Sequence, residues 1–307
     1  MDGTQFMRQL ILRLASSPSV SRFVHKHDKT LGARRFFAGV GLPDAIDAIR
    51  KLNAVGIMAT LDHLGESVTN AAEAKVQADA YVEVLHAIAA AGVDANVSIK
   101  LTQMGLDVGR AECLGNMRRI VAAAKETGNF VRIDMEDSQH VDATLDVVFA
   151  LRRDYDRVGT VLQSYLYRTK NDLERLIADN VTVRLVKGAY LEPENVAFPL
   201  KADVDRSYLE LVDTCLRRGH YVAIATHDEA IIRQVEAWVR ERNIPRDRFE
   251  FQMLYGIRSA RQRELAAAGY RVRCYVPYGT DWYAYFMRRM AERPANLGFV
   301  LRSMWRD

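Results

Sequence analysis

Eight short apolar runs recur along this chain of 307 residues, at 57–61, 97–101, 130–135, 160–163, 183–186, 222–226, 249–252 and 272–276. Helix-like segments separate them, and Gly92, Gly128, Gly219 and Gly269 stand just past four of those segments, as glycines that close helices do. Eight strand–helix units in series predict an α/β fold, a (βα)8 TIM-like barrel. Nearly every run ends in a polar or charged residue: Glu66, Lys100, Asp134, Gln163, Arg184 with Lys187, Thr226 with His227, Gln252 and Tyr275. Barrel enzymes assemble their active sites from the C-terminal ends of the strands. The chain therefore reads as an enzyme with its site at that face.

The length suits one barrel of about 250 residues with an N-terminal helical extension. Residues 1–54 read as helices packing on the barrel, as a cap or a bottom plug. Residues 5–37 carry a spaced apolar face, broken at Ser16-Ser17-Pro18-Ser19, and a third helix starts near Pro43-Asp44. Residues 55–307 read as the catalytic barrel. Its eighth helix spans 281–292, and a partly apolar tail at 296–307 is expected to be helical.

Cys113, Cys215 and Cys274 are an odd count at distant spacings, which implies reduced thiols in a cytosolic compartment. The formal net charge of +4 is spread through helices, so nucleic acid is not an expected partner. The sign does fit an anionic ligand or an acidic membrane surface. The N-terminus lacks the order of a secretory signal, and no apolar stretch approaches the roughly 18 residues of a membrane span. A cytoplasmic protein that touches a membrane through a surface helix is the expectation. No GxGxxG follows a strand and no Walker A sequence occurs, so a Rossmann or P-loop nucleotide site is not supported. With no HExxH and no histidine cluster, no metal is expected.

Lys100 lies in Ser98-Ile99-Lys100-Leu101-Thr102, and lysine is almost never buried unpaired. It either snorkels to solvent or faces the barrel mouth as a cation. Alternation puts Arg132, Asp134 and Glu136 on one strand face. An inward Asp134 must be paired or neutralised, and Lys100 on the neighbouring strand is its expected partner. Such a pair is either structural or part of a site. In Arg184-Leu185-Val186-Lys187-Gly188-Ala189-Tyr190, two cations flank an apolar pair. The small step that follows lets a flat ligand or a phosphate approach the backbone. Thr226-His227 ends the sixth run, where a histidine is either structural or ligand-facing. Arg288 and Arg289 follow Tyr285 by three and four residues, so both lie beside it on helix 8. Paired arginines grip a carboxylate by fork geometry, although a basic turn at a helix C-terminus also satisfies the helix dipole. Glu66 can pair with one of these arginines after the barrel closes.

These segments, with Arg35-Phe36-Phe37-Ala38-Gly39, Leu64-Gly65-Glu66, Ile133-Asp134-Met135-Glu136, Gln163-Ser164-Tyr165, Ala225-Thr226-His227, Glu250-Phe251-Gln252-Met253-Leu254-Tyr255-Gly256 and Tyr275-Val276-Pro277-Tyr278-Gly279, resemble the proline dehydrogenases in their short bacterial monofunctional form. The resemblance covers most of the chain. It implies a distorted barrel holding FAD non-covalently and oxidising L-proline to Δ1-pyrroline-5-carboxylate, with electrons passed to a membrane quinone. It implies that Arg288, Arg289 and Lys100 bind the proline carboxylate and that Asp134 and Tyr275 line the substrate site. Leu185, Tyr190 and Tyr285 would pack on the ring, and Glu66 and Arg288 would form a gate pair. Arg184 would contact the flavin near its reactive nitrogen. Met135, Gln163, Lys187, Gly188, Ala189, Thr226 and His227 would hold the flavin and its phosphates. Tyr275 would oppose a ring hydroxyl and so favour proline over hydroxyproline. A cytoplasmic enzyme at the inner face of the membrane is implied. The downstream pyrroline-5-carboxylate dehydrogenase is expected on another chain.

The residues alone agree, because a zwitterion with an apolar ring needs cations, a carboxylate or hydroxyl, and an apolar wall. They name no base for the proline nitrogen. The rival from another enzyme class is a lysine Schiff-base lyase or aldolase barrel, with Lys100 or Lys187 as nucleophile. A binding barrel without catalysis is the remaining alternative.

Overall fold

The computed structural model describes residues 17–27, 32–65 and 68–292. Each apolar run becomes a parallel strand: β1 (Met58–His63), β2 (Ala95–Ile99), β3 (Val131–Ile133), β4 (Val158–Gln163), β5 (Val183–Val186), β6 (Val222–Ala225), β7 (Phe249–Leu254) and β8 (Val272–Tyr278). The strands close in sequence order, with β8 paired to β1 from Met58 opposite Arg273 to His63 opposite Tyr278. The (βα)8 barrel is thus the observed fold.

The helices are α1 (Pro18–Lys26), α2 (Leu42–Asn53), α3 (Ala71–Ala91), α4 (Arg110–Glu126), α5 (Val141–Asp154), α6 (Thr169–Ala178), α7 (Lys201–Arg217), α8 (Glu229–Glu241), α9 (Ser259–Ala267) and α10 (Trp282–Glu292). α3 shows how local sequence sets their limits. The Asn70 side chain accepts from the Glu73 N–H at 2.9 Å, and Gly92 takes a left-handed φ of 61° at the other end. Between these caps Ala74, Ala78, Tyr81, Leu85 and Ile88 recur at helical spacing and are buried.

The outer layer at the β8–β1 seam is built by α2, not by the last helix. α2 packs on β1 and β8, with Ile46 and Ile49 buried. Asn53 locks its end to the barrel, donating to Ile57 O at 2.9 Å and accepting from the Asp94 N–H at 2.8 Å. α10 joins a separate apolar cluster with Val24, Phe36, Phe37 and Leu64. Phe37 stacks on Trp282 at 5.0 Å, and Phe36 meets Phe286 at 6.0 Å. Leu64 directly follows β1, so this cluster anchors α10 at the C-terminal mouth. The N-terminal residues therefore cover the seam and hold a mouth helix. The helix expected before Ser16, the tail at 296–307 and Glu66 lie outside the described residues.

Register and alternation divide the strand residues into two sets. Leu61, Val97, Ile99, Val131, Ile133, Leu185, Ile224, Phe251 and Val276 are fully buried in the apolar core. Each contributes about 1.5–3 kcal/mol by leaving water. The alternating set faces the barrel interior and is rich in polar groups, among them Asp62, Ser98, Arg132, Arg184, Glu250, Gln252, Arg273 and Tyr275, with Lys100 and Asp134 just past the ends of β2 and β3. Branched aliphatic residues normally dominate barrel interiors. Charges here are held by one another instead. Near the base, Arg273 Nε donates to both Glu250 oxygens at 2.9 and 3.2 Å, and Arg273 Nη1 donates to Ala59 O at 2.7 Å. Arg132 Nη1 donates to Thr160 O at 3.0 Å, and burial together with Arg184 pulls its pKa down to about 9.

Burial disfavours the Glu250 charge, yet Arg273, Gln252 and Arg132 outweigh it and hold the carboxyl at about 2, below its ordinary 4.5. On acidification the unfolded chain takes up a proton here before the folded chain does. Glu250 therefore contributes stability that is fully present above about pH 4.5 and lost as pH falls toward about 2. Urea midpoints measured across that window are expected to decline. Glu250→Gln is expected to flatten the decline while lowering stability at neutral pH, because Arg273 loses its counter-charge. An equally steep acid limb in the variant would contradict this assignment.

Candidate active site

One carboxylate gathers groups from three other strands at the mouth. Asp134, the first residue past β3, accepts from Ser98 Oγ at 2.7 Å and from Arg184 Nη1 at 2.8 Å on Oδ1. Its Oδ2 accepts from the Tyr275 hydroxyl at 2.9 Å. Burial, reinforced by Asp134, pushes the Tyr275 phenol well above its ordinary range, so it remains a donor. Arg184 is buried beneath this node. Its Nε donates to Gln252 Oε1 at 2.6 Å, Nη1 also donates to Ser98 Oγ at 3.1 Å, and the guanidinium lies 5.2 Å from the Tyr275 ring centroid. Nη2 is buried and has no hydrogen-bond partner among the described residues.

The expected Lys100–Asp134 pair does not form. Lys100 Nζ donates to both oxygens of Asp62 at 3.2 Å. The reason is competition for the carboxylate: Ser98 and Arg184 occupy Asp134 Oδ1 and Tyr275 occupies Oδ2, which leaves Lys100 to Asp62. Asp134, just past β3, meets Arg184 on β5, two strands away. Lys100, the first residue past β2, turns to Asp62 on β1. Burial opposes the Lys100 ammonium, but Asp62, with smaller help from Asp134 and Glu136, raises its pKa above the ordinary lysine value. Glu136 itself binds the loop after β2, accepting from Thr102 N at 3.0 Å and Thr102 Oγ1 at 2.6 Å.

The expected cofactor residues occupy four consecutive strand ends. Met135 follows β3 and is buried. Gln163 ends β4, and its amide donates to Glu136 O at 2.7 Å. Lys187, after β5, lies between Asp228 at 2.9 Å and Asp205 at 2.5 Å. Thr226 Oγ1 accepts from the Asp228 N–H at 3.0 Å, and His227 Nε2 accepts from the Leu254 N–H at 2.9 Å. Gly188 and Ala189 run along the mouth between them. Lys100, Asp134 and Tyr275 form the complementary arc on β2, β3 and β8. The two arcs meet at the Asp134–Arg184 pair. The unpartnered buried N–H of Arg184 there fits a flat, electron-rich cofactor such as a flavin.

Gly188 has a φ of 123°, and a Cβ added to it would lie 2.3 Å from the Tyr165 ring. Gly188→Ala is expected to destabilise the protein by roughly 1–3 kcal/mol through backbone strain alone. A urea unfolding curve superposable on the parent's would contradict it.

Tyr285 on α10 is buried, with the Arg289 guanidinium 5.1 Å from its ring centroid, as the four-residue spacing requires. Arg288 is exposed and lies within electrostatic range of Tyr190, itself 38% exposed at the mouth. Leu185 is the residue not brought to this surface. It is fully buried and out of phase with Arg184 on β5. Asp62, Ser98 and Gln252 complete the node and were given no role by sequence reasoning. The signal for Ser98 was available, because it sits two residues before Lys100 in the same run.

The family described as "Proline dehydrogenase" matches residues 45–302. The chain is 47% identical over 305 residues to proline dehydrogenase from Deinococcus radiodurans, covering 98% of each. It is 43% identical over 298 residues to proline dehydrogenase 1 from Bacillus subtilis (strain 168), covering 97% of this chain and 99% of that one. Among solved structures, that of proline utilization A (PutA) from Bdellovibrio bacteriovorus inactivated by N-propargylglycine has a TM-score of 0.80 at 25% identity. The match covers 89% of this chain and only about a third, 34%, of that longer one. Identity at this level, sustained over nearly the whole of both single-enzyme relatives, makes this chain a member of the proline dehydrogenase family.

Proposed function

We propose that the barrel mouth oxidises L-proline to Δ1-pyrroline-5-carboxylate, the first step of proline degradation to glutamate. FAD, bound non-covalently, supplies the hydride acceptor, and a membrane quinone takes the electrons onward. The observation that carries this reading is the meeting of two arcs at a buried arginine with one uncommitted N–H. Met135, Gln163, Lys187, Gly188, Ala189, Thr226 and His227 would hold the cofactor along β3–β6, and Arg184 would turn its uncommitted N–H toward it. Lys100, Arg288 and Arg289 bind the substrate carboxylate, which needs fixed cations in a partly dry site.

Asp134 is locked by Ser98, Arg184 and Tyr275, so it fixes the Tyr275 ring as one wall of the substrate pocket. Tyr190 and Tyr285 supply further apolar surface, and this wall leaves no provision for a ring hydroxyl. Orientation is the main contribution of these groups, since a rigid pose lowers the entropic cost of reaching the transition state. A Glu66–Arg288 contact would close the mouth over substrate. The next pathway enzyme is a separate pyrroline-5-carboxylate dehydrogenase, and the protein works at the inner face of the membrane. No helix among the described residues is long and apolar enough to cross one.

The Schiff-base alternative loses support from the same geometry. A nucleophilic lysine needs a lowered pKa, whereas Lys100 is raised by Asp62 and Lys187 lies between two carboxylates. Titration of the purified protein with FAD tests the proposal. Saturable quenching of FAD fluorescence with a flavin absorption band is expected. No binding, together with borohydride trapping of a carbonyl substrate on Lys100 or Lys187, would overturn it.

A further inference from the structure

We infer that Gln252 is a positioning residue for Arg184, and that its own orientation is dictated from the barrel base by Glu250. This rests on the proposed flavin site. Arg184 can be aimed only if its planar guanidinium is held on more than one edge. Asp134 and Ser98 hold Nη1, and Gln252 Oε1 holds Nε at 2.6 Å. With both edges fixed, the direction of the free Nη2 is fixed as well.

An amide can present either its oxygen or its nitrogen to a neighbour, and only its hydrogen-bond partners decide which. The Gln252 amide nitrogen donates to Glu250 Oε1. A carboxylate accepts and cannot donate, so this contact forces the Gln252 oxygen toward Arg184. Glu250 is itself immobile. It takes both Arg273 Nε contacts and the Tyr221 hydroxyl at 2.9 Å, while Arg273 is tied to Ala59 O on β1. The relay runs across the interior from β1 through β8, β7 and β5 to Asp134 after β3. Gln252, Glu250 and Arg273 are all buried below the mouth. Their side chains reach the site through Arg184.

A cation held beside a flavin ring favours its reduced over its oxidised state. The test is the midpoint potential of bound FAD, measured by equilibration with a reference dye. Gln252→Met offers Arg184 no strong acceptor. It is expected to weaken binding of reduced relative to oxidised flavin about tenfold, a fall of about 30 mV for a two-electron couple. Gln252→Asn is one methylene short of Arg184 and is expected to shift in the same direction. It carries the test should the methionine variant not fold. Met253→Leu, out of phase with Gln252 on β7 and equally buried, controls for general packing and is expected to keep the parent potential. Flavin bound normally, with both Gln252 variants at the parent potential or Met253→Leu shifted as far, overturns the positioning role alone. A parent protein that binds no flavin overturns the proposed function and this role with it.

Discussion

Asp134→Ala is expected to lower unfolding stability by roughly 3–5 kcal/mol, the usual cost of removing one partner from a buried ion pair. The pair is Asp134 with Arg184, 2.8 Å apart, and neither side chain has much exposure. Alanine leaves the guanidinium buried without a counter-charge. It also strands the Ser98 hydroxyl and the Tyr275 phenol, both of which donate to Asp134. The loss should appear as a lower urea midpoint with little change in slope. The double variant Asp134→Ala, Arg184→Met is expected to recover more than half of it, because the unpaired charge is gone. Activity should not recover, since the proposed function places Arg184 at the cofactor. Additive losses in the double variant would mean that the two charges do not support one another.

Arg288→Met is expected to raise KM for proline on the order of 10- to 100-fold with a smaller change in kcat. A hydrogen bond between charged groups is worth roughly 1.5–3 kcal/mol, and about 1.4 kcal/mol is a factor of ten. Arg288 is exposed, so its removal should leave the fold intact. Thermal unfolding matching the parent, with weakened proline saturation, would assign the loss to binding. Unchanged saturation would remove Arg288 from the substrate site.

Barrel architecture was legible because eight apolar runs with intervening helical segments admit few other arrangements. The strand at Val183–Val186 falls where its run predicted, and α3 ends at the expected glycine. What the sequence concealed was pairing across the interior. Adjacent-strand reasoning joined Lys100 to Asp134, but Ser98, Arg184 and Tyr275 already occupy both Asp134 oxygens, which leaves Lys100 to Asp62. The role of α2 was hidden for a similar reason. Its apolar face at Ile46 and Ile49 declares that it packs, but not that it takes the seam and leaves α10 at the mouth. Gln252 was visible at the end of its run, yet its function depends on Glu250 two residues earlier, a link that only the side-chain contacts display.

The most direct test of the account is an anaerobic titration of the FAD-loaded protein with L-proline, followed by visible absorption. Loss of the flavin band in proportion to added L-proline is the predicted result. A flavin band that persists at saturating L-proline would contradict the proposed reaction.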